Sequence, residues 1–160
     1  MVEMELVGVR VEVPSNVPIV LLREKAEGGR LLQIFIGGPE ATAIAVALEG
    51  IEPRRPLTHD LTKILVEELG AALDQVVITE VRDSVFYADL HLAVAGGTHI
   101  VSCRPSDALA LAIRCEAGIY ATEEVLAEAG FVEPGDEEPD DVVEQFREFI
   151  DSVNPDDFAS

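Results

Sequence analysis

The sequence predicts an α/β (α+β) fold: a single compact domain in which a mixed sheet packs against central, alanine-rich helices, with a β-β-β-α-α-like unit written twice. Three observations predict it. Short alternating or apolar runs bounded by glycine and proline recur at strand length through residues 1–103. Two stretches of small and aliphatic residues, "ATAIAVAL" (41–48) and "DALALAI" (107–113), are apolar on every side when wound as helices, so they must be covered on several sides. Each follows a strand and a proline (Pro39, Pro105), and each precedes a loop and a threonine-started amphipathic helix ending in glycine, the mark of an internal duplication.

The elements follow in order. Residues 4–13 (MELVGVRVEV) alternate as a strand, and 17–24 (VPIVLLRE) form a second. The turn at 27–29 (EGG) leads into a third strand, 30–36. Gly37-Gly38-Pro39 breaks it, and 40–50 reads as a helix stopped by Gly50. A proline-bounded loop, 51–56, leads to a helix over 58–70 with Thr58 as N-cap and Gly70 just past its end; Leu61, Ile64, Leu65 and Leu69 line one face. In the second half, 75–81 is a strand and 82–84 a turn. Over 85–94, Phe86, Ala88, Leu90, Leu92 and Val94 face one way, and Tyr87, Asp89 and His91 the other. Residues 98–103 form a strand, and 104–114 enter the second central helix. Residues 115–121 read as a loop with a short extended piece, and 122–130 as a helix between Thr122 and Gly130.

The chain divides into a domain over 1–130, an acidic linker over 131–140, and an amphipathic C-terminal helix and tail over 141–160. In that helix Val142, Val143, Phe146, Phe149, Ile150 and Val153 form one stripe. It needs a surface to dock on: its own body, a second copy in a homo-oligomer, or a protein partner.

With 31 acids against 11 bases, the net charge of the 160 residues is −20. Such a chain repels nucleic acid at long range and binds it only through a local basic patch or bridging cations. No apolar run approaches the roughly 20 residues of a membrane span, and the acidic, alternating start lacks the pattern of a secretory signal. These features lead us to expect a soluble cytoplasmic protein with no membrane partner. Cys103 and Cys115 fit no metal or redox spacing and read as buried, reduced thiols.

Three polar places carry candidate chemistry. "RPSD" (104–107) opens a helix: Pro105 fits its first turn, and Ser106 or Asp107 can accept from free backbone N–H groups. The same corner, with Arg104, has the parts of a phosphate seat. "PRRPLTHDL" (53–61) holds the basic doublet Arg54-Arg55, suited to phosphate, followed by His59 and Asp60 at a helix start, suited to proton transfer and to holding a cation. "YADLH" (87–91) puts Asp89 and His91 two apart on one strand face, the spacing of a shared ligand or a relay. Each place also has a plain reading, as helix caps or as a solvent-facing strand. No Walker loop, HExxH or dinucleotide fingerprint is present.

The motifs "IFIGGPEATAIAVALEGIEPRRPLTHDL", "FYADLHL" and "RPSDALALAIRCEAGIYATEEVLAEAG" closely resemble the bifunctional nuclease domain family over about residues 4–130, and the ending "DSVNPDDF" looks like its actinobacterial members. One departure is Gly37-Gly38-Pro39-Glu40, where the family more often has a single glycine. The resemblance implies a duplicated α/β domain and a nuclease acting on RNA, DNA or both. It marks Arg54, Arg55, His59, Asp60, Asp89, Arg104, Ser106, Asp107 and Arg114 as positions of interest.

A phosphodiesterase reading follows. His59, Asp60, Asp89, His91 and Asp107 would be the catalytic set, with Asp60 and Asp89 as candidates to hold Mg²⁺ or Mn²⁺. Arg54, Arg55, Arg104, Ser106 and Arg114 would hold phosphate. The alternative is a non-catalytic regulatory or partner-binding domain, or one that binds a small nucleotide or anion without cutting it.

Overall fold

The computed structural model describes residues 1–134; the C-terminal helix expected over 141–160 lies outside them. The alternating runs form seven strands: β1 (Val2–Glu12), β2 (Val17–Glu24), β3 (Leu31–Phe35), β4 (Ala72–Arg82), β5 (Val85–Val94), β6 (Gly97–Cys103) and β7 (Gly118–Ala121). They make one sheet in the order β3-β2-β1-β7-β4-β5-β6. Chain neighbours pair antiparallel within β1–β3 and within β4–β6. β7 joins these two meanders, antiparallel to β1 and parallel to β4, so the sheet is mixed.

Four helices complete the fold: α1 (Gly38–Leu48), α2 (Thr58–Glu68), α3 (Pro105–Cys115) and α4 (Glu123–Ala129). The all-apolar sequence of α3 finds the environment it requires. Ala108, Leu109, Ala110, Leu111 and Ala112 are all buried, and α3 packs on β4, β5 and β7 while carrying α1 and α2 on its other sides. The sheet face beneath it is built from Val20, Leu22, Leu32, Ile34, Val76, Ile78, Ala88 and Leu90, one residue in two along each strand. α1 is less central than its composition predicts: Ala41, Ala43 and Ile44 are buried, but Thr42 and Leu48 face outward.

The structure corrects one local reading and completes two others. Leu57, not Thr58, is the N-cap of α2, because the Asp60 carboxylate reaches back to the Leu57 N–H at 2.9 Å. The apolar stripe of α2 is exposed: Leu61 is 48% exposed, Leu65 53% and Leu69 85%. The extended piece expected within 115–121 is β7, the strand that holds the two meanders together. The order strand-strand-strand-helix occurs up to both α1 and α3, but β7 has no counterpart between α1 and α2. The stops are read correctly at Gly50 and Gly70, which take the positive φ (66° and 79°) that ends a helix without a Cβ clash. Thr122 caps α4 through its hydroxyl, which accepts from the Val125 N–H.

Leu109 is fully buried at the centre of α3, so Leu109→Ala removes contacts on every side. We expect a loss of about 3 kcal/mol in urea unfolding. Leu65→Ala, on the exposed stripe of α2, is expected to cost under about 1 kcal/mol; equal losses would contradict the central place of α3.

Candidate functional site

Three helices begin at one corner, and each carries an acid three residues past its N-cap: Glu40 after Gly37, Asp60 after Leu57, and Asp107 after Arg104. A carboxylate there sits at the positive end of the helix dipole and close to free backbone N–H groups. Asp60 uses one oxygen in that way, on Leu57. The rest of the corner is wired through side chains. Arg104 donates from Nε to Asp107 Oδ2 at 2.8 Å and pairs through its terminal nitrogen with Glu40 Oε1 at 3.1 Å. Asp107 Oδ1 lies 2.9 Å from His59 Nε2. Glu40 folds back over Gly37 so tightly that a Cβ on that residue would strike its carboxylate; the extra glycine at 37–38 makes this approach available.

A second set of bonds holds the three helices in register. Arg114, with a side chain 6% exposed, donates from Nε to Asp60 Oδ1 at 2.7 Å. Its two terminal nitrogens donate to the carbonyls of Ala110 at 2.8 Å and Ala43 at 3.0 Å. One guanidinium on α3 thus binds the start of α2, the middle of α1 and its own helix. The alanines of α1 and α3 matter here, because only small side chains let an arginine on one helix reach the backbone of the other.

These contacts set the charges. Burial pushes the Asp107 carboxyl up, but hydrogen bonds from Arg104 and then His59 outweigh it and leave its pKa below the ordinary carboxylate value. Burial also raises Asp60, and Arg114 followed by the Leu57 N–H more than reverses the effect. Both are therefore carboxylates near neutral pH. With Asp107 ionised, the proton of neutral His59 belongs on Nε2, and Nδ1 is left as an acceptor. Burial lifts the Cys103 thiol to about 11, with Asp107 and Asp89 adding to the shift, so it stays protonated and is a poor nucleophile.

Two clefts open on this corner and share Arg104. One, of about 430 Å³, sets the polar side chains of Glu40, Thr42, Thr58, His59 and Asp107 beside Pro39, Ala43 and Leu57. The other, of about 360 Å³, is mainly apolar and lies between the end of β3, the β4–β5 turn and the start of α3.

The structure gathers six of the residues singled out from sequence: His59, Asp60, Arg104, Ser106, Asp107 and Arg114. Arg54 and Arg55 stand exposed on the loop before α2, outside the lining of either cleft. Asp89 and His91 are not brought in. Ala88 and Leu90 face the helices, so Asp89 and His91 point to the reverse side of the sheet, where His91 Nδ1 lies 3.5 Å from Gln75 Nε2. Asp60 and Asp89, each a candidate to hold Mg²⁺ or Mn²⁺, thus lie on opposite sides of the sheet. Both Asp60 oxygens already accept hydrogen bonds, and no group of three His, Cys, Asp or Glu side chains suited to a metal occurs among the described residues. Glu40 went unnoticed as a site residue, although its place three residues past an N-cap matches Asp60 and Asp107.

The fold and corner define a small α+β domain with a histidine–carboxylate–arginine relay at converging helix starts. The chain belongs to the bifunctional nuclease domain family, whose model matches residues 20–134. It is 49% identical over 165 residues to an uncharacterized protein of Mycobacterium tuberculosis, covering 99% of this chain and 98% of that one. It is 28% identical over 109 residues to bifunctional nuclease 1 of Oryza sativa subsp. japonica, 66% of this chain but 33% of the rice protein. Bifunctional nuclease 2 of Arabidopsis thaliana is 27% identical over 107 residues, 65% of this chain and 32% of that protein. The chain thus spans about a third of the plant proteins. No helix among the described residues is long and apolar enough to cross a membrane.

The lowered values of Asp60 and Asp107 fix a pH dependence. A carboxylate held below its unfolded value of about 4 stabilises the folded chain above that pH, and the contribution is lost as pH falls through the lower folded value. Asp60→Asn is therefore expected to be less stable than the parent at pH 7 and to lose less further stability between pH 5 and 3. Urea midpoints across that range read the difference; parallel curves for parent and variant would show that Asp60 gains nothing from Arg114.

Proposed function

We propose that the chain is a nuclease that hydrolyses phosphodiester bonds of RNA or DNA in the His59 cleft where α1, α2 and α3 begin. The observation that carries this reading is the relay from Arg104 through Asp107 to His59. Family membership supports it, as do the printed names of the plant relatives. Asp107 holds the His59 ring and its tautomer, and Nδ1 faces the task of base. Water adds to phosphorus as Nδ1 takes its proton. The bond from phosphorus to the leaving sugar oxygen breaks, and that oxygen takes a proton from solvent. Arg104, 66% exposed and with one terminal nitrogen outside its two ion pairs, meets the charge that grows on the phosphoryl oxygens. Arg54 and Arg55, on the neighbouring loop, serve the backbone of a longer strand; Arg114, fully engaged, acts by position.

A second reading, a non-catalytic partner-binding domain, is favoured by the exposed leucine stripe of α2. Cleavage assays separate the two. With parent and variants purified identically, His59→Ala is expected to cut single-stranded RNA or DNA at least about 10²-fold more slowly, while Asp89→Ala, on the far face of the sheet, keeps the parental rate. Equal cutting by parent and His59→Ala would mark the activity as a contaminant and sink the proposal.

A further inference from the structure

The apolar cleft next to Arg104 is not used by the chemistry above, and we infer that it is a nucleobase subsite, which makes the substrate an unpaired nucleotide rather than a duplex. The inference rests on the nuclease reading for its substrate class and on the cleft itself for its chemistry. Phe35, Ile36, Val85 and Phe86 give it apolar and aromatic walls. Phe35 is 62% exposed, unusual for a phenylalanine with no surface to cover, and every nucleobase has a flat face that stacks on such a ring. Its volume of about 360 Å³ falls in the range of small-ligand sites.

The second observation is Ser106. It is only 5% exposed and lines the same cleft, yet its hydroxyl makes no hydrogen bond to another described residue. No fully buried side-chain oxygen among the described residues lacks a partner, so this hydroxyl opens onto the cleft. With Ser84 and Arg104 it is one of three polar side chains on a mainly apolar lining, the pattern of a site that orients a flat polar ring.

Arg104 borders both clefts. A base seated beside Phe35 would therefore bring its phosphate to Arg104 and within the cleft of His59. A base paired in a duplex cannot enter without leaving its stack. For a chain of net charge −20, a stacking contact also gives affinity that does not depend on a broad basic surface.

The test uses the full chain and 2-aminopurine ribonucleoside 5′-monophosphate, whose fluorescence falls on stacking. Saturable quenching is expected. Adenosine 5′-monophosphate should compete at least tenfold better than ribose 5-phosphate, which lacks the base. Phe35→Ala, at an exposed position, should fold normally and weaken the fluorescent nucleotide at least fivefold, with ribose 5-phosphate unaffected. Absence of quenching, equal competition by the two phosphates, or indifference to Phe35→Ala would overturn the subsite. The outcomes separate it from the nuclease reading: this binding pattern without any cutting keeps the subsite and removes the nuclease. Cutting with an unchanged KM and unchanged nucleotide binding in Phe35→Ala does the reverse.

Discussion

The arrangement depends on one buried guanidinium. Arg114 spends its hydrogen bonds on Asp60 and on the carbonyls of Ala110 and Ala43. An arginine withdrawn from water is costly unless its nitrogens find partners, and here each of the three donates to a different helix. The bond is therefore satisfied in one relative placement of α1, α2 and α3. That placement sets His59, at the start of α2, against Asp107, at the start of α3. The helix interior supplies the fold, and its charged end supplies the site.

The shared placing of Glu40, Asp60 and Asp107 follows from the same economy. Each acid stands at the positive end of its own helix, and each is paired: Glu40 with Arg104, Asp60 with Arg114 and the Leu57 N–H, Asp107 with Arg104 and His59. Arg104 divides its guanidinium between two of them and still keeps a nitrogen toward solvent. A corner built this way has little net charge of its own, although the chain is strongly acidic, so an incoming phosphate meets oriented donors instead of bare carboxylates.

Much of this was legible in the residues, for local reasons. The strand at 85–94 is matched to the residue because its alternation is unbroken, and the glycine stops at 50 and 70 hold because a positive φ is a one-residue requirement. Thr58 misleads because two capping chemistries compete there: a hydroxyl at the first helical position and a carboxylate two places on, and the carboxylate reaches the free N–H of Leu57. β7 has four residues, too few for a period, and its role depends on which strands lie beside it. The exposed face of α2 was likewise beyond a periodicity argument, which finds an apolar stripe but not what covers it. In the site, His59 and Asp107 were each visible as helix-start residues, but their contact spans 48 positions of chain and belongs to the packing of α2 on α3. Asp89 and His91 carried the opposite lesson. The alternation that identifies their strand also turns them away from any helix resting on Ala88 and Leu90.

The central claim is that Arg114, through directed hydrogen bonds and not charge alone, fixes α2 so that histidine meets carboxylate. A crystal structure of Arg114→Lys tests it most directly, since lysine keeps the charge and loses the planar fork. The account predicts that the start of α2 shifts and that His59 Nε2 and Asp107 Oδ1 part beyond hydrogen-bonding distance, past about 3.5 Å. An unmoved α2 with that pair still at 2.9 Å would contradict it.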